Sequence, residues 1–244
     1  MKMMLKILNQ YIQELEQIDA ELATLPEGSL IRKKSYYYHV INRKQVGITR
    51  NIKLIIQLCR KRYLLIRKAQ LENNIVATSP ETLDTRTPQE LIASLPKAYR
   101  DVPISYFYHP SIEKWLAKES RKNTHYPENA IYSYNDINFR SMAERTIAEQ
   151  LDKYGIPYQY EPTFDMGTKQ VSPDFIVKNP FNNKTVIWEH FSAFNQEKYA
   201  EVMNDKMDTY INLGFTQFEN LIATYQYHIR NPKRLHELIE QIIL

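Results

Sequence analysis

Residues 172–191 read SPDFIVKNPFNNKTVIWEHF, and this stretch decides the fold. A proline and an aspartate precede the apolar run Phe175 to Val177. The loop NPFNNK interrupts it, and a second apolar run then carries Glu189 between Trp188 and His190. Short β-branched and aromatic runs separated by Asn and Pro predict a β-hairpin. Its strands are Asp174 to about Lys178 and about Thr185 to Glu189. If Lys178 opposes Thr185, every opposed pair has the same sum of residue numbers, and Asp174 falls opposite Glu189. Opposed residues share one face of a sheet, so two carboxylates stand side by side at one end of the hairpin. Like charges placed this way are unfavourable unless a cation lies between them, and hard oxygen donors suit Mg²⁺ or Mn²⁺. A register slip of one residue would instead send the two acids to opposite faces.

The flanking sequence alternates helix and strand. SMAERTIAEQLDKYG, 141–155, is amphipathic, with Met142, Ile147 and Leu151 apolar and Gly155 as its stop. IPYQYEPTF reads as a strand, 197–214 as a helix ended by Gly214, NLIATYQY as a buried strand and PKRLHELIEQII as a last helix. This order predicts an α/β domain over 136–244, a mixed sheet flanked by helices.

Upstream, Leu5, Leu8, Ile12, Leu15, Ile18, Leu22 and Leu25 recur at steps of three and four, and Pro26 and Gly28 end that helix. The stripe fits a partner helix within the chain, or a second copy in a homodimer. SLIRKKSYYYHVINRKQVGIT then predicts two short strands, with a turn near either Lys33-Lys34 or Asn42-Arg43. A second helix follows over about Asn51 to Asn73, so residues 1–73 read as a helix, hairpin, helix region. Residues 74–135 hold six prolines and read as an ordered helical linker, because Tyr106, Phe107, Tyr108 and Trp115 call for burial. Within it TPQELIASLP predicts a short helix capped by Thr87.

Charge is distributed unevenly. Residues 31–70 hold twelve Lys or Arg and no Asp or Glu, a +12 block on a background of −8. Such a block implies a polyanionic partner, most simply nucleic acid. Arg32, Lys33, Lys34, Arg43, Lys44, Arg50, Lys53, Arg60, Lys61 and Arg62 are the candidate phosphate contacts, with Tyr36 and Tyr38 placed to stack on bases or to serve as ordinary strand residues. The five glycines form no phosphate-binding loop, and the single cysteine, Cys59, excludes an internal disulfide. A reducing, cytoplasmic setting is expected. No apolar stretch is long enough to span a bilayer, so no membrane partner is expected. HELIE lacks the second histidine of a zinc protease, and no nucleophilic serine elbow occurs.

The run RSMAERTIAEQLDKYGIPYQYEP, followed by SPDF, IWEHF, YAEVMNDKMDTYINLGF and LIAT, resembles the PD-(D/E)XK nuclease superfamily, the restriction-endonuclease-like fold. It is similar in particular to a bacterial group whose core reads RSKSE, GIPYxYEP, PDF and WEHxG. LPEGSLIRKKSYYYH resembles that group's amino-terminal region, so the likeness spans nearly the whole chain and is weakest in the middle. The resemblance implies a metal-dependent nuclease acting on nucleic acid, DNA foremost. It makes Glu144 the helix acid, Asp174 and Glu189 the metal ligands and the His190 backbone carbonyl a further ligand. The family lysine, two residues after the glutamate, is Phe191 here. Two replacements offer themselves. His190 is adjacent but points to the opposite face of its strand. Lys206 lies on the following helix, where the same group also carries lysine, and is preferred. Other departures are Met142-Ala143 for Lys-Ser, Ser192 within the HxG stretch and Gln226 at a position often acidic. The missing lysine also motivates an inactive nucleic-acid-binding module on the same fold. A protein-interaction factor using the amino-terminal stripe is a further alternative.

Overall fold

A computed structural model describes the chain except for residues 1, 78, 119–126, 166–169, 193–196 and 244. It divides into two compact units, Met1–His109 and Pro110–Leu244. The stretch read as a linker is shared between them. Among the described residues no helix is long and apolar enough to cross a membrane.

In the first unit α1 (Lys2–Leu22) leads into β1 (Ser29–Lys33), β2 (Tyr36–Ile41) and β3 (Lys44–Gly47), followed by α2 (Ile52–Val76), α3 (Pro88–Ala93) and α4 (Lys97–Arg100). The expected two-stranded hairpin is a three-stranded antiparallel meander, because both candidate turns form. Lys33 pairs with Tyr36 and Ile41 with Lys44, leaving two-residue loops. Lys34, Asn42 and Arg43 adopt the positive φ that such tight loops require. Gly28 enters the meander at φ +88°, where a Cβ would lie 2.4 Å from the Val40 carbonyl oxygen. The α1 stripe packs on α2 in its second half, with Ile18 5% exposed, while Leu5 and Ile12 remain exposed. The predicted Thr87 cap starts α3, and Glu90 completes it as a capping box. Phe107 is fully buried and Tyr106 and Tyr108 half-buried. The Tyr99 hydroxyl accepts the Leu30 amide at 2.8 Å and ties α4 to β1.

The second unit runs α5 (Ser111–Ala117), β4 (Tyr132–Tyr134), β5 (Ile137–Phe139), α6 (Met142–Lys153), β6 (Tyr158–Tyr160), β7 (Phe164–Asp165), β8 (Gln170–Val171), β9 (Phe175–Lys178) and β10 (Thr185–Phe191). It continues with α7 (Glu197–Asn212), β11 (Leu221–Tyr225), α8 (Gln226–Ile229) and α9 (Pro232–Ile242). Its main sheet has the order β11-β10-β9-β6, with β10 and β11 parallel and the other pairs antiparallel. This is a mixed α/β architecture with a helix-flanked sheet. β10 is buried on both faces. Val186 and Trp188 join Ile147 and Leu151 of α6 and Leu235 and Ile239 of α9 in the larger core, whereas Ile187 packs with Met207 and Tyr210 of α7. Alternation along β10 therefore turns Glu189 towards α7 and His190 away from it.

Local chemistry fixes these elements. Ser141 caps α6 by accepting the Glu144 amide at 3.1 Å. Gly155, at φ +64°, closes the helix, with the Ile156 amide returning to the Leu151 carbonyl at 2.9 Å. In the β9–β10 loop the Asn179 side chain accepts the amides of Phe181 and Asn182. That turn sets the register, pairing Thr185 with Lys178 and Trp188 with Phe175.

Candidate functional site

One step beyond the Trp188–Phe175 pair, the hairpin ends at Glu189 and Asp174, the same constant sum that the sequence implied. An Asp174 carboxylate oxygen accepts the His190 amide at 2.6 Å, and the Asp174 carbonyl accepts the Glu161 amide at 2.9 Å. These bonds pin Asp174 at the sheet end from both neighbouring strands. Glu189 is 1% exposed. Its two carboxylate oxygens accept from Lys206 Nζ at 3.1 and 3.0 Å, and the Tyr210 hydroxyl donates to one of them. Lys206 also donates to the Ser172 carbonyl at 3.4 Å. Lys206 and Tyr210 stand one turn apart on α7, so both reach the same strand from the same helical face.

The electrostatics follow from this packing. Burial pushes the Asp174 carboxyl well above its usual range, and the Glu189 charge adds to that; Lys206 opposes both. Burial likewise raises Glu189, against the pull of Lys206 and Tyr210. Burial raises the Tyr210 hydroxyl too, and Glu189 raises it further, so Tyr210 is a neutral donor. Two buried carboxylates this close favour a proton or a cation beside them.

Glu144 is held differently. Its oxygens accept from the Tyr160 hydroxyl at 2.6 Å, the Arg140 amide at 3.1 Å and the Ser141 hydroxyl at 2.9 Å. These contacts place it at the start of α6. It acts on Asp174 through its charge, which raises that carboxyl. His190 sits on the other face of β10, 7% exposed, with Nδ1 3.2 Å from the Thr224 hydroxyl. Trp188 Nε1 also donates to that hydroxyl at 3.0 Å. Burial, then the neighbouring His228, push the His190 imidazole down to about 4, so it is neutral at ordinary pH.

The expected donor set can be tested against a divalent ion. Among the described residues, no three or more His, Cys, Asp or Glu side chains form a metal-holding group. The site therefore does not fit an ion that needs three protein side-chain ligands of these types. Two hard carboxylates do fit Mg²⁺, which keeps several waters and takes phosphate oxygens as further ligands.

The basic block is distributed between interior and surface. Arg60 is 3% exposed; it binds Glu21 through two nitrogens at 2.7 Å and the Phe107 carbonyl at 2.9 Å. It is a core ion pair and is withdrawn from the phosphate contacts. Arg67 pairs with Glu14 at 2.7 Å, Lys68 with Asp19, and Arg32 with Asp101. Lys61 donates to the Pro26 carbonyl at 2.8 Å. Lys33, Lys34, Tyr36, Arg43, Lys44, Arg50, Lys53 and Arg62 are exposed, and Tyr38 is half-buried with Lys33 over its ring.

Sequence reasoning missed Tyr210, Tyr160 and Thr224. Tyr210 was findable, since it lies four residues after Lys206 on one helix. Tyr160 and Thr224 carry no local signal, because each reaches its partner from a separate strand. No protein-family model, curated protein or solved structure matches the chain.

Proposed function

We propose that the second unit is the catalytic core of a metal-dependent nuclease of the PD-(D/E)XK, restriction-endonuclease-like type, acting on nucleic acid and foremost on DNA. The observation that carries this reading is Lys206 Nζ seated 3.0 Å from Glu189, at the hairpin end that also holds Asp174. A cation from α7 thus stands beside the two acids, although the strand position of the family lysine is Phe191.

Asp174 and Glu189 would hold Mg²⁺ or Mn²⁺, with the His190 carbonyl as a further ligand. The ion would supply charge neutralisation at the scissile phosphate and a more acidic water. Lys206 would orient that water or the phosphate by hydrogen bonding, and Lys206 and Tyr210 keep Glu189 in place. Glu144 adds negative charge behind Asp174 and secures the start of α6. The exposed cations of the first unit would bind the phosphate backbone.

Asp174→Ala should bind DNA and not cut it, measured by gel cleavage with Mn²⁺ beside anisotropy in EDTA. Full cleavage by that variant would overturn the assignment. A second reading, an inactive binding module, is favoured by one observation: Lys206 and Tyr210 already engage the oxygens of Glu189. Calorimetric Mn²⁺ titration separates the two, since the inactive module would bind DNA and take up no metal.

A further inference from the structure

The face of β10 that carries Glu189 continues into aromatic residues. In the parallel pairing with β11, Glu189 lies beside Ala223 and Phe191 beside Tyr225. Phe191 is two residues beyond Glu189, so it and Tyr225 share that face. Their rings lie 6.0 Å apart, and Phe191 is 4% exposed. The Tyr225 hydroxyl is 3.9 Å from the sulfur of Met203. Met203 precedes Lys206 by about one turn of α7, so Tyr225 meets that helix about one turn before the lysine that binds Glu189.

The aromatic face then steps outward. The Tyr227 ring lies 6.0 Å from that of Tyr225 and within 7° of parallel to it. Tyr227 is 52% exposed, and the Arg234 guanidinium lies 5.5 Å from its ring centroid. His228 backs the same ring at 3.9 Å. An exposed ring with an imidazole against it and a guanidinium over it is suited to hold a second planar group that carries negative charge nearby, the group stacking on the ring and its charge meeting the cation.

We infer that the Tyr227 ring, backed by Tyr225, forms a stacking platform for an unpaired nucleobase, so that the second unit takes single-stranded or frayed nucleic acid with a phosphate at Lys206. This inference rests on the nuclease reading for the identity of the phosphate site. Bases within a duplex already stack on their neighbours and offer no open face to Tyr227. Base stacking on an aromatic side chain tolerates any sequence.

The test uses the full chain in EDTA and a fluorescein-labelled oligothymidine, with a duplex of equal length as reference. By anisotropy, Tyr227→Ala should lose on the order of tenfold in affinity for the single strand and keep its affinity for the duplex. Tyr227→Trp should restore the loss, because a ring and not a hydroxyl is required. Equal single-strand affinity for wild type and Tyr227→Ala, or equal losses on both substrates, would overturn the platform. So would absence of single-strand binding by the wild type. The measurement does not depend on cleavage. Tyr227-dependent binding in a protein that never cuts with Mn²⁺ would uphold the platform and remove the nuclease. Cutting without Tyr227 dependence would do the reverse.

Discussion

Glu189 and Lys206 exchange support at one point in the second unit. The carboxylate is 1% exposed and poorly solvated, so Lys206 and the Tyr210 hydroxyl offset the cost of its charge. The lysine side chain is 32% exposed and keeps part of its hydration, so the pair is weaker than a fully buried one. Lys206→Ala should lower the unfolding free energy by about 1–3 kcal/mol, read from urea midpoints. Lys206→Met combined with Glu189→Gln should recover most of that loss, because two neutral partners strand no charge. An unchanged midpoint in Lys206→Ala would mean that the contact serves chemistry and not folding. Asp174 and Glu189 were legible in the sequence because antiparallel pairing converts a constant sum of residue numbers into a shared face. Lys206 could be named only through the resemblance and not from pairing arithmetic, because its contact depends on how α7 lies across the sheet.

Among the elements, legibility follows the range of the interaction that forms each one. The cap of α6, its glycine stop and the β9–β10 turn are written within a few residues of themselves, and each could be read directly. The meander was harder. Two turn candidates looked like alternatives, yet two-residue loops at Lys34 and at Asn42-Arg43 coexist, because β2 has a partner on both edges. The β4–β5 hairpin, with Asn135 and Asp136 both at positive φ, was hidden in a stretch dominated by prolines. The loop after α2 was also opaque, since buried Gln70 and Asn74 hold its backbone: Asn74 accepts the Asp84 amide at 2.7 Å, and both donate to the Asp84 carbonyl at 3.0 Å. Arg86 beside the Asp84 side chain holds that carboxyl down to about 2. A carboxyl depressed in the fold adds stability above its unfolded value, 3.8, and the contribution fades as pH falls towards about 2. Asp84→Asn should therefore cost about 1 kcal/mol at neutral pH. The gap to wild type should narrow on acidification over the range in which both remain folded. Urea midpoints at several pH values check this; a gap independent of pH would assign the effect to hydrogen bonding instead of charge.

At the scale of the whole molecule, counting charge along the chain overstated what is available to a partner. The acids that neutralise the basic block lie far away in sequence: Glu21 is 39 residues from Arg60, Glu14 53 from Arg67 and Asp101 69 from Arg32. Antiparallel packing of α1 on α2 brings the first two pairs together, seven residues apart on each helix. The block therefore divides in two: cations that hold α1 to α2, and exposed cations of the meander and of α2, which the proposed function assigns to phosphate. Salt tests that division. Each phosphate neutralised by an exposed cation releases counterions from duplex DNA and adds about 0.9 to the steepness of log K against log salt. Replacing Arg43 and Lys44, both exposed where β2 turns into β3, by alanine should lower that slope by about 0.9 for each phosphate left without its cation, and should leave the thermal midpoint in place. Arg67→Ala should do the opposite, lowering the midpoint because Glu14 loses its partner, and leaving the slope in place. Anisotropy over a salt series, paired with thermal unfolding of the same variants, reads both quantities. A slope that ignores Arg43 and Lys44 would mean that the exposed cations of the meander do not meet a phosphate backbone, and the partner of this unit would then have to be sought among acidic proteins.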